Sequence, residues 1–256
     1  MRLFLFLVFA SGTCLSQPFS PHPNAHAHND YEHKRPLKDA LKNGFVSVEA
    51  DVHLRKEYLL VAHNFASDNS PTLEKLYLFV LDSLLNANKG QVYPGAGGPF
   101  YLMIDIKTDG EETYAAIRRL LVKYPSLRCK SKDCPVRIFL SGERPASTMI
   151  DEGYSGLGID GRPEDLGKGY STELMPVVSD TYRNWSKWNG ESKLTETDLQ
   201  RVKDLASRVH AEGKKLRLWA IPDNEGAWDA LLKAGVDFIN TDHLEKLNAF
   251  LTRKGL

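Results

Sequence analysis

The sequence predicts an α/β protein folded as a single (β/α)8 barrel of the TIM type. Short apolar runs recur eight times along the chain, and helical patterns separate most of them. Runs such as residues 45–48 (FVSV) and 136–140 (VRIFL) are nearly uninterrupted and rich in β-branched and aromatic residues, as is typical of buried parallel strands. The length of 256 residues also matches this barrel, for which about 250 residues are typical.

The predicted strands follow one another in the order that a barrel requires. They cover residues 24–28, 45–51, 101–106, 136–140, 157–160, 175–178, 215–220 and 238–240. A further extended segment, residues 58–62, follows the second strand. An open, doubly wound sheet is the alternative. However, the Gly-rich turn with which such sheets bind a dinucleotide does not follow the first strand.

The predicted helices occupy most of the gaps between strands. They cover residues 37–42, 73–86, 111–124, 196–212, 225–234 and 244–251. Thr195 and Asn224 precede two of them and are suited to cap the free backbone N–H groups there. Gly213 and Gly235 follow two helices as C-terminal stops. Between residues 160 and 175 the helical pattern is weak, because Gly and Pro interrupt it.

Residues 1–16 have the pattern of a secretory signal peptide. Arg2 precedes an apolar run over residues 3–10, and small residues precede a cleavage site after Ser16. The run is too short to span a bilayer, which takes about 20 residues. We therefore expect an exported mature domain, residues 17–256, in the periplasm or outside the cell, with no stable membrane anchor. In an exported protein, Cys129 and Cys134 are expected to form a local disulfide.

The charge balance excludes one class of partner. Lys and Arg together number 33, as do Asp and Glu, so the formal net charge is zero. A nucleic-acid-binding protein needs a strongly basic patch, so we expect no nucleic-acid partner. The composition, 42% hydrophobic and 26% charged, is that of an ordinary globular protein, and we expect a monomer.

Polar residues follow several predicted strands, at the end where a barrel carries its functional groups. These strand-end residues are His28, Glu49, Asp51, His63, Asp105 and Lys107. Residues two apart on a strand share a face, so Glu49 and Asp51 point the same way, as do Asp105 and Lys107. The pattern therefore predicts one cluster of charged groups at the mouth of the barrel.

Three of these residues suggest a metal site. Carboxylates that converge on one barrel mouth repel one another unless a cation lies among them. Oxygen ligands without cysteine favour a hard divalent ion, Mg²⁺ or Ca²⁺. We expect one such ion to be bound by Glu49, Asp51 and Asp105. The plainer alternative is that each carboxylate is a surface residue or half of an ion pair.

Two histidines are candidates for acid–base catalysis. His28 and His63 lie on either side of Glu49 and Asp51 along the chain, at the ends of extended segments. Histidine suits both the removal and the donation of a proton near neutral pH. His53 shares a strand face with Glu49 and Asp51 and is a weaker candidate for the same site.

Five motifs together resemble a known superfamily. They are residues 28–31 (HNDY), 47–52 (SVEADV), 61–63 (VAH), 104–107 (IDIK) and 235–242 (GVDFINTD). This set is similar to the phospholipase C-like phosphodiesterases, and within them to the branch of glycerophosphodiester phosphodiesterases and sphingomyelinase D. The resemblance extends from His28 to Asp242, over most of the mature chain.

The resemblance implies a function and a set of roles. It implies a TIM-like barrel that hydrolyses a phosphodiester, with His28 and His63 as catalytic residues and one divalent ion on the three carboxylates. Lys107 matches a basic residue that faces the substrate phosphate, and Trp219 falls where these enzymes often carry an aromatic residue. The implied substrate is a small molecule or lipid headgroup of the glycerophosphodiester, lysophospholipid or phosphoinositide type, cleaved in some cases through a cyclic phosphate.

The sequence departs from the family pattern at one important point. The usual opening, His-Arg-Gly, is replaced by His28-Asn29-Asp30, and no Glu-Asn-Thr follows. A phosphate-binding arginine is therefore missing from its usual place, which leaves the alcohol group of the substrate open.

Two other functions compete. His26 and His28 form the His-x-His with which metal-dependent amidohydrolase barrels begin, but the middle strands contain no histidine. A secreted binding protein on an inactive barrel is the second alternative, because fold alone does not imply function.

Overall fold

The computed structural model describes residues 21–95, 97–131, 133–192 and 194–256, so the predicted signal peptide lies outside the described residues. Within them, the strands are β1 (His22–Ala27), β2 (Phe45–Arg55), β3 (Tyr58–Val61), β4 (Phe100–Ile106), β5 (Val136–Gly142), β6 (Gly158–Gly161), β7 (Val177–Thr181), β8 (Lys215–Trp219) and β9 (Phe238–Thr241). All eight predicted strands and the extra extended segment are present, with ends displaced by at most four residues.

Eight of these strands close into a parallel barrel. β1 pairs in parallel with both β2 and β9, and the remaining neighbours follow in the order β2-β4-β5-β6-β7-β8-β9. The closure confirms the (β/α)8 prediction and excludes the open sheet. β3 is antiparallel to β2 and forms a hairpin with it, with Val52 opposite Val61. This hairpin brings His63 back beside Asp51, four residues before the end of β2.

The helices lie between the strands, as the pattern predicts. They are α1 (Lys38–Lys42), α2 (Phe79–Ala87), α3 (Gly110–Leu121), α4 (Ala146–Glu152), α5 (Glu196–Ala211), α6 (Glu225–Lys233) and α7 (Leu244–Lys254). A π-helical stretch, Glu74–Leu78, leads into α2. Thr195 and Asn224 accept hydrogen bonds from Asp198 N and Ala227 N, as expected of N-caps.

Two helix predictions need correction. The short helix α4 was not predicted, because its seven residues provide too little apolar periodicity. Between β6 and β7 the structure has only a 3-10 turn, Pro163–Asp165, in place of the weakly predicted helix. Pro163 and the glycines that follow prevent a longer run of backbone hydrogen bonds there.

The core has two parts. The larger part packs the helices against the outer face of the barrel. The smaller part fills the barrel itself and consists of Tyr101, Met103, Phe139, Val177 and Phe238. Tyr101 packs edge-on against Phe139 and Phe238. This apolar plug closes the interior below the carboxyl ends of the strands, so that polar groups gather at the mouth.

Cys129 and Cys134 form the expected disulfide, with their Cα atoms 5.4 Å apart in the segment that precedes β5. No helix among the described residues is both long and apolar enough to cross a bilayer.

Candidate active site at the barrel mouth

The three predicted carboxylates converge where β2 and β4 reach the mouth of the barrel. Asp51 and Asp105 are direct partners in the β2–β4 register. One oxygen from each of Glu49, Asp51 and Asp105 lies within 4.8 Å of the other two. Gly142, at the end of β5, makes room for this arrangement. A Cβ atom there would lie 2.1 Å from Asp105 Oδ1, and the backbone has φ 65°, which favours glycine.

The two carboxylate oxygens of Asp51 differ in their hydrogen bonding. Its Oδ2 accepts hydrogen bonds from the Tyr31 hydroxyl at 2.9 Å and His63 Nδ1 at 3.2 Å, and lies 3.1 Å from Lys107 Nζ. Its Oδ1 is buried and has no hydrogen-bond partner among the described residues. A buried polar atom without a partner is costly, and an ion is one of the standard explanations for it. The donor set therefore fits a hard cation.

The electrostatics of the cluster support the same conclusion. Burial raises the pKa of Asp105 to about 6, and the charge of Lys107 offsets this only in part. Burial, followed by the charge of Glu49, also raises the pKa of Asp51. The protein therefore loses free energy by holding these carboxylates ionised side by side. A divalent cation among them would remove that cost.

The pKa of Glu49 shifts in the opposite direction, because a buried arginine pairs with it. Arg217 Nη2 lies 3.0 Å from Glu49 Oε2, and Arg217 Nε donates to Asn240 Oδ1 at 3.1 Å. Burial raises the pKa of Glu49, but the Arg217 guanidinium, His26 and His28 together outweigh burial and bring it to about 2. Sequence reasoning missed Arg217. The available signal was its spacing, two residues before Trp219 on the same strand face.

His26 lies beneath the carboxylates and does not join them. Its Nδ1 is 2.7 Å from Ser47 Oγ, and its Nε2 is 3.6 Å from Glu49 Oε2. Burial, followed by the charge of Arg217, lowers the pKa of His26 to about 4, which keeps the ring neutral. Within the described ranges, the one potential metal-binding group consists of carboxylates alone. The histidine-rich site of the amidohydrolase alternative is therefore not formed there.

His28 follows β1 and is oriented by a residue at the end of β9. His28 Nδ1 donates to Asp242 Oδ1 at 2.8 Å. Burial lowers the pKa of His28, but the Asp242 hydrogen bond and the charges of Glu49 and Asp242 outweigh burial and raise it. Asp242 is itself positioned by Asp223 Oδ2, which accepts from the Asp242 backbone N at 3.0 Å.

His63 lies at the edge of the carboxylate cluster with 49% of its side chain exposed. Besides Asp51, its Nδ1 contacts the Tyr31 hydroxyl at 3.0 Å. The same hydroxyl lies 2.9 Å from Asn29 Oδ1, and Asn29 has the left-handed conformation that this residue type tolerates. Residues 28–31 thus supply both a histidine and the tyrosine that orients the second histidine.

The two predicted substrate-binding residues occupy different positions. Lys107 Nζ bridges the carboxylates, 3.1 Å from Asp51 Oδ2 and 3.3 Å from Asp105 Oδ1. Trp219 is the last residue of β8 and is 42% exposed. It shares the strand face of Arg217 and lies one step closer to the mouth. The structure therefore brings Lys107 into the cluster. Among the described residues, no hydrogen bond or ion pair joins Trp219 to it.

Comparisons with known proteins give two family matches. Residues 16–130 match the AIM6-like phosphodiesterase domain, and residues 215–245 match the glycerophosphoryl diester phosphodiesterase family. The first segment contains both histidines, the three carboxylates and Lys107. The second contains Arg217, Trp219 and Asp242. The segments that carry the site are thus the segments that match.

Curated relatives from fungi match nearly the whole chain. "Altered inheritance of mitochondria protein 6 homolog" from Arthroderma benhamiae is 27% identical over 88% of this chain and 82% of its own length. "Altered inheritance of mitochondria protein 6" from Eremothecium gossypii is 28% identical, over 88% and 68%. The Saccharomyces cerevisiae protein of that name is 25% identical, over 90% and 71%.

The fold and the matches together show what this protein resembles. It is a TIM-barrel protein with one segment similar to the AIM6-like phosphodiesterase domain and another similar to the glycerophosphoryl diester phosphodiesterase family. Both similarities agree with the resemblance to phospholipase C-like phosphodiesterases that the sequence motifs indicate.

Proposed function

We propose that this protein is a metal-dependent phosphodiesterase that uses His28 and His63 as a general acid–base pair. The observation that carries the proposal is the arrangement around Asp51. Donors surround one oxygen of Asp51, while the other is buried with no hydrogen-bond partner among the described residues, and a histidine lies on each side of the acidic cluster. The family matches support the reaction class, a phosphoric diester hydrolase.

Glu49, Asp51 and Asp105 would hold one divalent cation, Mg²⁺ or Ca²⁺. When bound, the ion would supply positive charge for the non-bridging oxygens of the phosphodiester. Lys107 lies beside two of the three ligands, so its ammonium group is placed to bind the same oxygens. Arg217 holds Glu49 in place from below, together with Asn240.

The hydrogen bonds of the two histidines suggest a division of roles. His63 Nδ1 donates to Asp51, which leaves Nε2 with a lone pair that can accept a proton from the attacking hydroxyl. The raised pKa of His28 favours its protonated form, which can donate a proton to the leaving oxygen. As the new O–P bond forms and the bond to the leaving alcohol breaks, one proton moves to His63 and another leaves His28. An adjacent hydroxyl of the substrate as attacking group would produce a cyclic phosphate.

The substrate and compartment belong to the same proposal. We infer a small-molecule or lipid-headgroup phosphodiester of the glycerophosphodiester, lysophospholipid or phosphoinositide type, with Trp219 at the rim as a further contact. Export after cleavage near Ser16 is supported by the signal-like residues 1–16 and by the Cys129–Cys134 disulfide, since disulfides persist in oxidising compartments. Mass spectrometry of the secreted protein should find Gln17 at its N-terminus.

The central experiment is an assay of the purified protein on a panel of these three phosphodiester classes, with Mg²⁺, Ca²⁺ or chelator. Phosphorus NMR distinguishes a cyclic from a hydrolysed product. His28→Ala and His63→Ala should each lower kcat about 10²–10⁴-fold without abolishing metal binding. His210→Ala is the matched control, because His210 pairs with Asp237 away from the site.

Three results would contradict the proposal. Turnover that survives chelation would remove the metal from the mechanism. Turnover that falls equally in all three histidine variants would show a general loss of structure instead of acid–base catalysis. Absence of turnover on the whole panel would favour the alternative of a binding protein on an inactive barrel.

A further inference from the structure

A second polar network lies beside the carboxylates at the barrel mouth, on β5, β6 and β7. Asp160 on β6 is fully buried, and its two oxygens accept hydrogen bonds from Ser141 Oγ at 2.8 Å and Ser179 Oγ at 2.6 Å. Arg162, just after β6, lies 2.8 Å from Asp160 Oδ2 through Nη1. In the described part of the chain, every side-chain hydrogen bond of Arg162 uses Nη1. The rest of its guanidinium group therefore remains available.

Among the residues that the structure describes, a second arginine at this side has no ion-pair partner. Arg144 follows β5, and its one side-chain hydrogen bond among the described residues runs from Nη1 to Gly142 O at 3.3 Å. Its Nε is buried without a partner, and within the described ranges no carboxylate lies within ion-pair distance of it. A buried donor without a partner is uncommon, and a bound ion is one of the standard explanations for it.

The environment makes the positive charge of Arg144 unfavourable in the absence of a ligand. Burial lowers its pKa, and the charge of Arg162 lowers it further. Asp160, Asp165 and Asp105 offset part of this effect from a distance, but none of them pairs with it. Arginine is the residue type best suited to bind an oxyanion, because its planar fork offers several donors.

The two arginines flank the reaction site without entering it. Asp105 on β4 pairs in register with Ser141 on β5, and β6 is the next strand. Neighbouring strands are about 4.8 Å apart, so Arg144 and Arg162 leave the barrel about one and two strand spacings beyond the metal-binding carboxylates. Both residues also lie between the two segments matched by family models.

We propose that Arg144 and Arg162 form an oxyanion subsite that binds a second anionic group of the substrate, beyond the phosphodiester that is cleaved. This inference relies on the proposed function for the identity of the substrate. A substrate whose alcohol carries a phosphate monoester would place that group over the arginines while the diester lies at Lys107 and the three carboxylates.

The first test does not depend on turnover. Sulfate, a phosphate-like dianion, is titrated calorimetrically into the purified protein. Wild type should bind it at one site, and Arg144→Gln should weaken binding at least about tenfold, as the loss of a charged donor predicts. Arg183→Gln is the matched control, since Arg183 is an exposed arginine after β7 at the same end of the barrel. It should leave sulfate affinity unchanged.

Arg162→Gln is a second variant, but it also removes the partner of the buried Asp160, so its fold is checked by circular dichroism. Arg144→Gln breaks no ion pair and therefore decides the question. Absence of sulfate binding to wild type, or equal binding to wild type and Arg144→Gln, would overturn the subsite whether or not the protein cleaves phosphodiesters.

The second test compares two substrates that differ in one group. One is a glycerophosphodiester whose leaving alcohol carries a phosphate monoester, and the other has a free hydroxyl in its place. Arg144→Gln should lower kcat/KM about tenfold or more for the first and leave the second unchanged. An equal fall for both would mean that Arg144 serves the reacting diester, which would refute a separate subsite. Sulfate binding that depends on Arg144, in a protein that cleaves no diester, would instead refute the proposed function alone.

Discussion

Asp30 offers a quantitative test of how burial controls charge in this barrel. The residue is fully buried, and its Oδ2 accepts hydrogen bonds from the Leu37 backbone N at 2.6 Å and the Tyr77 hydroxyl at 2.9 Å. Its Oδ1 is buried and has no partner among the described residues. Burial raises the pKa of Asp30 from 3.8 to about 7, although both hydrogen bonds act in the opposite direction.

The raised pKa makes stability depend on pH in a defined direction. Between pH 3.8 and about 7, the folded protein keeps the Asp30 proton whereas the unfolded chain has lost it. The free energy of unfolding therefore decreases as the pH rises through this range. One pH unit corresponds to 1.36 kcal/mol, so the contribution of Asp30 to stability falls by about 4 kcal/mol over the whole window. It is fully present below pH 3.8 and lost above about 7.

Asp30→Asn should remove this dependence. The amide oxygen can still accept from Leu37 N and the Tyr77 hydroxyl, but the side chain no longer ionises. The difference in the free energy of unfolding, variant minus wild type, should grow by about 4 kcal/mol from pH 4 to pH 8. Because all other groups titrate alike in both proteins, this difference isolates Asp30.

The assay is urea denaturation of both proteins at five pH values from 4 to 8. Asp68→Asn is the matched control, because Asp68 is exposed and its ion pairs with Arg55 and Lys56 lower its pKa. The control should show no growth of the difference as the pH rises. A flat difference for Asp30→Asn would mean that Asp30 ionises at its ordinary pKa, and the reasoning from burial would fail.

Three further changes test the site itself. Asp51→Asn should sharply weaken Mg²⁺ and Ca²⁺ binding in calorimetric titration while circular dichroism stays unchanged; unchanged affinity would remove Asp51 from the ligands. Asp242→Asn removes the hydrogen-bonded anion that raises the pKa of His28, so the limb of the kcat/KM–pH profile that reports His28 should move to lower pH. A limb that stays in place would show that Asp242 does not control the pKa of His28. Gly142→Ala should displace the Asp105 carboxylate and cost about 1–3 kcal/mol of stability, measured by thermal unfolding; wild-type metal affinity and stability would refute the steric argument.

The sequence by itself determined the barrel and half of its site. The alternation of apolar runs with helical patterns depends only on local periodicity, which can be read along the chain. The same holds for Glu49 with Asp51 and for Asp105 with Lys107, because residues two apart on a strand must share a face. His28 and His63 were found because they end extended segments next to these pairs.

The partners of these residues were decided by tertiary structure alone. Asp242 contacts His28, and Arg217 contacts Glu49, only because closure of the barrel places β9 beside β1 and lets β8, the strand after β9, face β2 across the mouth. Those pairs are separated by 214 and 168 residues in the chain, and no local pattern connects them.

Tertiary structure also decided three further features, namely the short helix α4, the 3-10 turn before β7 and the charge of Arg144. Each depends on what packs against it, since weak local propensity is overridden by contacts and burial is a property of the folded chain. Local periodicity thus predicts which strands form and which faces they expose. Only the closed barrel decides which charged groups meet, because burial and distance set the energy of every charge at its mouth.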